Sequence, residues 1–217
     1  MCMSHIKCVI FDCEGTLIDS ERLCCQAIVN VFEQFDVALT MQECLQHFQG
    51  GKLADILNTT QQRLGLSISL DILEPMYREN VSYLFQKYLL PMPGAFELLD
   101  YLKAQKIEYC IASNGPKDKI EKALSLTGLL TNFDGRIFSG FEANSWKPDP
   151  DLILYSIMNM GFLPSECLYI DDTPMGVEAG VNAGVKTLHY CYDMQEIPNL
   201  FEQVTPIKHL DDIAQFL

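Results

Sequence analysis

The sequence is short of basic residues. Its 217 residues include 15 Lys and Arg against 29 Asp and Glu, which gives a formal net charge of −14. Nucleic acids and anionic membrane surfaces both select basic proteins, so neither is expected as a partner. An anionic substrate would have to be attracted by a few placed cations and a metal ion, against the overall field.

Long apolar runs and paired metal-binding cysteines are also lacking. No segment approaches membrane-spanning length, and the N-terminal "MCMSHIK" has no apolar stretch typical of a signal peptide. The nine Cys form no CxxC pair, and the four His show no ligand spacing. We expect reduced, mostly buried thiols in a cytoplasmic protein. Its expected assembly is a monomer or a small homo-oligomer.

Short apolar runs and helical stretches alternate along most of the chain. "IKCVIF" at 6–11 is typical of a strand buried on both faces, and similar runs lie at 107–113, 166–170 and 185–191. Helical periodicity occupies 95–105, 118–128, 151–161 and 175–184. This alternation predicts an α/β fold with a doubly wound, mostly parallel sheet.

Residues 19–88 differ from the rest, because they carry helical periodicity without a convincing strand. Thr40 followed by Glu43 is a capping-box pattern at the start of one of these helices. The turn sequence "PMPG" at 91–94 marks the return to the sheet. We therefore predict an α/β core of residues 1–18 and 89–217, with a helical cap domain of residues 19–88 inserted after the first strand.

Polar residues follow the ends of the predicted strands, where an open α/β sheet forms its site. The segments are "DCEGT" from Asp12, "SNG" from Ser113, "WKPDP" around Lys147, and the acidic pair Asp171-Asp172. A carboxylate can serve as nucleophile for a phosphoryl group, and carboxylates from two strand ends suit Mg²⁺. Ser113 and Lys147 can hold and neutralise phosphate oxygens. The set indicates phosphoryl transfer.

Each segment by itself also has an ordinary structural interpretation. "DCEGT" can be an acidic turn, Asp171-Asp172 a helix cap, Lys147 part of a solvated loop, and "SNG" a common turn. Their joint order on one α/β scaffold favours the catalytic interpretation.

The order D-x-[D/E]-G-T, S-N, K-P and D-D resembles the signature of the haloacid dehalogenase superfamily of phosphatases. The whole chain looks like its branch with a helical cap after the first motif, which contains beta-phosphoglucomutase. Within that branch, "FQGGKL", "ASNGPKDKI", "FSG" and "WKPDP" resemble bacterial 6-phosphogluconate phosphatases. The resemblance implies a Rossmann-like core, a Mg²⁺ cofactor, a small phosphorylated metabolite as substrate and an aspartyl-phosphate intermediate.

The resemblance also implies a role for each matching position. Asp12 would be the nucleophile and a metal ligand, and Glu14 would give its carbonyl to the metal and its side chain to acid–base catalysis. Asp172 would bind the metal directly and Asp171 through water, although the two could exchange roles. The remaining implied residues are Ser113 and Asn114 for phosphate binding, Lys147 for phosphate neutralisation, and Gly51 and Lys52 of "QGGK" for substrate binding by the cap.

Glu14 departs from the family, which usually has Asp two residues after the nucleophile. The extra methylene moves the carboxyl group by about one bond length, and a misplacement near 1 Å can cost about 10²-fold in rate. Three functions remain open on the sequence: a phosphatase, a phosphoglucomutase-type phosphotransferase, and a binder of phosphorylated metabolites with weakened catalysis.

Overall fold

The computed structural model describes residues 6–48, 51–192 and 201–217. Residues of the chain fall into two compact units: Met1–Ile18 with Pro91–Leu217, and Asp19–Leu90. The first unit is called the core unit below, and the second the inserted unit. The predicted boundary at 88/89 stays a prediction, and the contacts divide the chain at 90/91.

The core unit is built on a sheet of six strands within the described residues. The strands are β1 (Cys8–Phe11), β2 (Glu108–Ser113), β3 (Ile137–Ser139), β4 (Cys167–Asp171), β5 (Lys186–Tyr190) and β6 (Thr205–Ile207). Their order is β3-β2-β1-β4-β5-β6 and every pairing is parallel. β1 is central and wholly buried, as its unbroken apolar run predicts. The predicted doubly wound, Rossmann-like fold is confirmed.

Within the described residues, five helices connect these strands. They are α5 (Ala95–Gln105), α6 (Lys117–Leu126), α7 (Gly140–Ala143), α8 (Asp151–Met160) and α9 (Pro174–Asn182). Short 3₁₀ helices lie at Leu130–Asn132, Pro164–Glu166 and Leu210–Phe216. α5 coincides with the predicted 95–105, and α8 ends against the left-handed Gly161, as its terminal glycine predicts.

The inserted unit is helical throughout its described part. Its helices are α1 (Glu21–Glu33), α2 (Met41–His47), α3 (Leu53–Arg63) and α4 (Leu70–Tyr88). The predicted capping box at Thr40 and Glu43 is confirmed, since the Glu43 N–H donates to Thr40 Oγ1 at 3.2 Å and the Thr40 N–H donates to Glu43 Oε2 at 2.9 Å. An inserted helical domain is thus confirmed as part of the fold.

Each unit has its own apolar core. In the core unit, residues of β1 and β4 such as Ile10 and Tyr169 pack with α8 residues such as Leu152 and Ile153. In the inserted unit, α1 packs on α4 around Phe32 and Leu73. Eight described cysteines are buried and without disulfides, while Cys2 lies outside the described residues. Among the helices described, none has the length and apolarity that a membrane crossing needs. The cytoplasmic location and the oligomeric state stay predictions.

Candidate active site

Three carboxylates meet at the carboxyl edge of the sheet. Asp12 directly follows β1, Asp171 ends β4 and Asp172 comes next. β1 and β4 run parallel with Phe11 opposite Ile170, so both strands end at the same edge. One oxygen from each of the three carboxylates lies within 4.8 Å of the others. The register of two strands therefore gathers acids that are far apart in the sequence.

The Lys147 ammonium group joins two of these acids. Its Nζ donates to Asp12 Oδ1 in a short contact and to Asp171 Oδ2 at 2.8 Å. All three groups are nearly closed to solvent, with exposures of 7% for Lys147, 8% for Asp12 and 0% for Asp171. Because a buried charge is costly unless it is paired, this arrangement fixes the ammonium group beside Asp12.

Asn114 anchors the loop that carries Lys147. The Lys147 backbone N–H donates to Asn114 Oδ1 at 2.9 Å, and Asn114 Nδ2 donates to the Lys147 carbonyl at 3.5 Å. The side-chain amide therefore orients the loop between α7 and α8. In the same turn Ser113, which is buried, accepts a hydrogen bond from the Gly115 N–H at 3.3 Å.

The Asp171 carboxylate is surrounded by donors. Its Oδ1 accepts from the Thr173 N–H at 2.8 Å and from Thr173 Oγ1 at 2.7 Å. Its Oδ2 accepts from Lys147 and from the Tyr169 hydroxyl. Four hydrogen bonds fill the acceptor capacity of a carboxylate. This favours the assignment implied by the family resemblance, in which Asp172 binds the metal directly and Asp171 acts through water.

Asp172 is held more loosely by the loop after β1. Thr16 Oγ1 donates to Asp172 Oδ1 at 2.9 Å. Gly15, whose φ is +83°, lets the loop pass so close that a Cβ there would lie 2.2 Å from Asp172 Oδ2. The buried His189 places Nε2 at 3.1 Å from the Asp172 carbonyl oxygen. The loop after β1 and strand β5 together position this acid.

The acids differ in their affinity for protons. Burial raises the pKa of Asp12 to about 7, with Lys147 opposing and Asp171 adding to the rise. Burial also raises the pKa of Asp172, helped by the charge of Asp171. Burial would do the same for Asp171, but Lys147 and the hydrogen bonds around it hold that pKa below its usual value. The site thus has more negative charge than Lys147 alone can balance.

This charge excess fits a divalent cation. Asp12 and Asp172 offer hard carboxylate oxygens, the ligand type that Mg²⁺ prefers. The Glu14 carbonyl lies in the same loop after β1. These residues could hold Mg²⁺ and would stabilise it by charge.

The remaining predicted residues, Glu14, Gly51 and Lys52, are exposed. The Glu14 side chain is exposed, although the protein atoms around its carboxylate raise its pKa against the opposing charges of Lys119 and Lys147. Gly51 and Lys52 are exposed residues of the inserted unit, directly before α3. Gln49 and Gly50 of the "QGGK" segment lie outside the described residues. The roles given to all these residues stay predictions.

Three supporting residues were not recognised in the sequence. Tyr169 lies in an apolar run, but alternation along β4 puts it on the same face as Asp171 two residues later. Gly176 and His189 support the two acids, yet nothing in their local sequence indicates these contacts. The alternation of side chains along β4 was therefore the one sequence signal that could have identified one of these three residues, Tyr169.

Comparison with known proteins identifies the family. The sequence model of the haloacid dehalogenase-like hydrolase family matches residues 9–190 of the chain. The chain is 33% identical over 213 residues to 6-phosphogluconate phosphatase of Escherichia coli, covering 98% of this chain and 95% of the relative. It is 26% identical to a phosphorylated carbohydrates phosphatase of Thermotoga maritima, over 85% of this chain and 84% of that one.

A solved structure has the same fold. A candidate beta-phosphoglucomutase of Thermotoga maritima superposes with a TM-score of 0.81 at 24% identity, covering 98% of this chain and 100% of that one. The predicted resemblance and the predicted enzyme class, a hydrolase of the phosphatase type, are confirmed. The chain belongs to the haloacid dehalogenase-like hydrolase family.

Proposed function

We propose that the chain is a Mg²⁺-dependent phosphatase that hydrolyses small phosphorylated metabolites through an aspartyl-phosphate on Asp12. The observation that carries this proposal is the buried Lys147 ammonium group between Asp12 and Asp171, with Asp172 beside them. A nucleophilic carboxylate, a fixed cation and a metal-binding acid are what phosphoryl transfer needs.

In the first step, a carboxylate oxygen of Asp12 attacks phosphorus and the bond to the ester oxygen breaks. Lys147 is held where it can balance the charge that spreads over the phosphoryl oxygens. Bound Mg²⁺ would supply further charge neutralisation there. The leaving alkoxide takes a proton from Glu14, whose pKa is raised by burial in the direction that favours the protonated form of a general acid.

In the second step, the Glu14 carboxylate takes a proton from water, and this water attacks phosphorus. The bond between phosphorus and Asp12 breaks, which frees inorganic phosphate and restores the carboxylate. Ser113, Asn114 and the amides of their turn are the proposed holders of the phosphate oxygens during both steps. Their place at the end of β2, next to β1 in the sheet, supports this assignment.

The proposed substrates are sugar phosphates, among them 6-phosphogluconate. Support comes from the named activities of the Escherichia coli and Thermotoga maritima relatives. Gly51 and Lys52 of the inserted unit are the proposed contacts to a distal anionic group of the substrate. Lys52→Met should then raise KM for 6-phosphogluconate about tenfold or more and leave KM for glycerol 3-phosphate within twofold. Equal effects on both esters would remove Lys52 from the proposal.

The test is a panel of phosphate esters assayed with Mg²⁺ and with a chelator. We expect phosphate release that requires Mg²⁺ and that Asp12→Asn abolishes. Asp134→Asn, the same change at an exposed residue of the core unit, should leave the rate unchanged. Isomer formation from a hexose phosphate without phosphate release would indicate a phosphotransferase, and ligand binding without turnover would indicate a binding protein.

A further inference from the structure

Tyr169 lies on the buried side of the acidic group. It precedes Asp171 by two residues on β4, so both side chains point to the same face of the sheet. Its side chain is fully buried, and its hydroxyl donates to Asp171 Oδ2. A buried hydroxyl is costly without a partner, so ring and carboxylate are fixed to each other.

Helix α9 packs closely against Tyr169 and Asp171. Gly176 and Gly180 are four residues apart and therefore on one face of the helix. A Cβ at Gly180 would lie 2.5 Å from Cδ1 of Tyr169, and one at Gly176 would lie 1.9 Å from Oδ2 of Asp171. Both glycines are thus required for the ring and the carboxylate to lie against the helix.

Tyr169 is also coupled to Lys147 in two ways. The hydroxyl and the ammonium group share one acceptor atom, Asp171 Oδ2. In addition, Nζ of Lys147 lies 5.5 Å from the centroid of the Tyr169 ring, within the range of a cation–π interaction. Two of the three N–H groups of the ammonium group donate hydrogen bonds to Asp12 and Asp171. The third N–H can therefore donate a hydrogen bond to a phosphoryl oxygen.

We propose that Tyr169 is a positioning residue: by fixing Asp171 Oδ2, its hydroxyl holds the Lys147 ammonium group at the point where a phosphoryl group binds next to Asp12. The inference rests on the proposed function, and it adds a residue that acts through Asp171 instead of touching the ester. It assigns a specific task to a tyrosine that lies among apolar residues of β4, two residues before Asp171.

The test compares Tyr169→Phe with Tyr109→Phe. The first variant keeps the ring, its packing and its cation–π contact, and it removes only the hydrogen bond to Asp171. The second makes the same change at a buried tyrosine near the start of β2, where the ring packs edge-to-face on Phe133. The melting temperature, the dissociation constant of inorganic phosphate measured by calorimetry in Mg²⁺, and kcat for the best ester are determined for each protein.

For Tyr169→Phe we expect kcat to fall about tenfold and phosphate to bind about three- to tenfold more weakly, because a shift well under 1 Å already costs part of the 10²-fold expected for 1 Å. For Tyr109→Phe, both kcat and the dissociation constant of phosphate should stay within twofold of the values of the parent protein. In an Asp171→Ala background, which has no side-chain acceptor for the Tyr169 hydroxyl, Tyr169→Phe should change phosphate affinity less than twofold, because its effect passes through Asp171. A full additional loss in that background would contradict this route.

The outcomes separate the inference from the proposed function. If the parent protein binds phosphate and hydrolyses no ester, the proposed function fails and the phosphate affinities of the variants still decide the role of Tyr169. If the parent protein is active and Tyr169→Phe equals it in kcat and phosphate affinity, the role of Tyr169 is refuted and the phosphatase stands. A lower melting temperature with both values unchanged refutes it as well, and a parent protein that neither binds phosphate nor hydrolyses an ester refutes both.

Discussion

Gly176→Ala is the smallest change that should disable the site. A Cβ at this position would lie 1.9 Å from Cγ and Oδ2 of Asp171 and 2.1 Å from Oδ1. Ordinary contact begins at 3.4 Å, so the carboxylate, or the start of α9, must move by 3.4 − 1.9 = 1.5 Å. A movement of the carboxylate breaks its contacts with Thr173, Tyr169 and Lys147, and a movement of the start of α9 breaks its contacts with Thr173.

The expected change in stability is large, and it is opposite in sign to that of a Gly→Ala substitution at an ordinary helical position. Alanine in place of a helical glycine normally stabilises by about 1 kcal/mol. Breaking a buried ion pair costs about 3–5 kcal/mol, so we expect a net destabilisation of about 3 kcal/mol. A displacement of 1.5 Å next to Lys147 should lower kcat by at least about 10²-fold, since about 1 Å already costs that much.

The assay measures initial phosphate release at saturating Mg²⁺, together with denaturant unfolding of each protein. Glu178→Ala is the control, because it places alanine at an exposed position two residues further along α9. We expect it to match the parent protein in rate and to differ by less than about 0.5 kcal/mol in stability. A Gly176→Ala protein that is as stable as its parent and within threefold of its rate would refute the close approach of Asp171 to α9.

Three further predictions concern Glu14, the acids and the inserted unit. If the extra methylene of Glu14 misplaces its proton, Glu14→Asp should raise turnover of alkyl phosphates much more than that of aryl phosphates, which leave without protonation; equal gains would refute this. Burial raises the folded-state pKa of Asp12 from 3.8 to about 7. In the metal-free protein, the contribution of Asp12 to the free energy of unfolding is therefore complete below about pH 4 and is lost as the pH rises through 7. Mg²⁺ should therefore raise the melting temperature more at about pH 8 than at about pH 5.5, and equal shifts would argue against Asp12 as a ligand. Thr40→Ala should destabilise the inserted unit by about 1 kcal/mol, measured by hydrogen exchange, because it removes the N-cap side chain of α2. Thr59→Ala, at an exposed position within α3, should not destabilise the unit, and equal effects of the two changes would show that the Thr40 N-cap does not stabilise it.

Much of the fold could be predicted because its elements carry strong local patterns. β1, β2 and β4 consist mostly of apolar residues and are followed by polar residues, and α5 is amphipathic over its whole length. The missed elements lack such patterns. β3 and β6 have three residues each, and β6 contains Pro206 at the edge of the sheet. Packing against neighbours, and not propensity, stabilises these elements.

The positions of the acids could be predicted from the ends of strands, but the hydrogen bonds that distinguish Asp171 from Asp172 could not. Asp171 and Asp172 are adjacent and chemically identical in the sequence. Only the structure gives one of them four donors and leaves the other beside Thr16 and the loop after β1. Strand alternation is the reason, since adjacent residues point to opposite faces and meet different neighbours.

The sequence by itself determined the layered α/β architecture, the inserted helices and the acidic residues of the site, because each depends on periodicity or on short motifs within a few residues. Tertiary structure alone decided that Lys147 pairs with Asp12, 135 residues away, and that Tyr169 and the glycines of α9 enclose Asp171. These contacts depend on strand register and on the close approach of a helix to the sheet. Such distances follow from packing in three dimensions, and no local pattern encodes them.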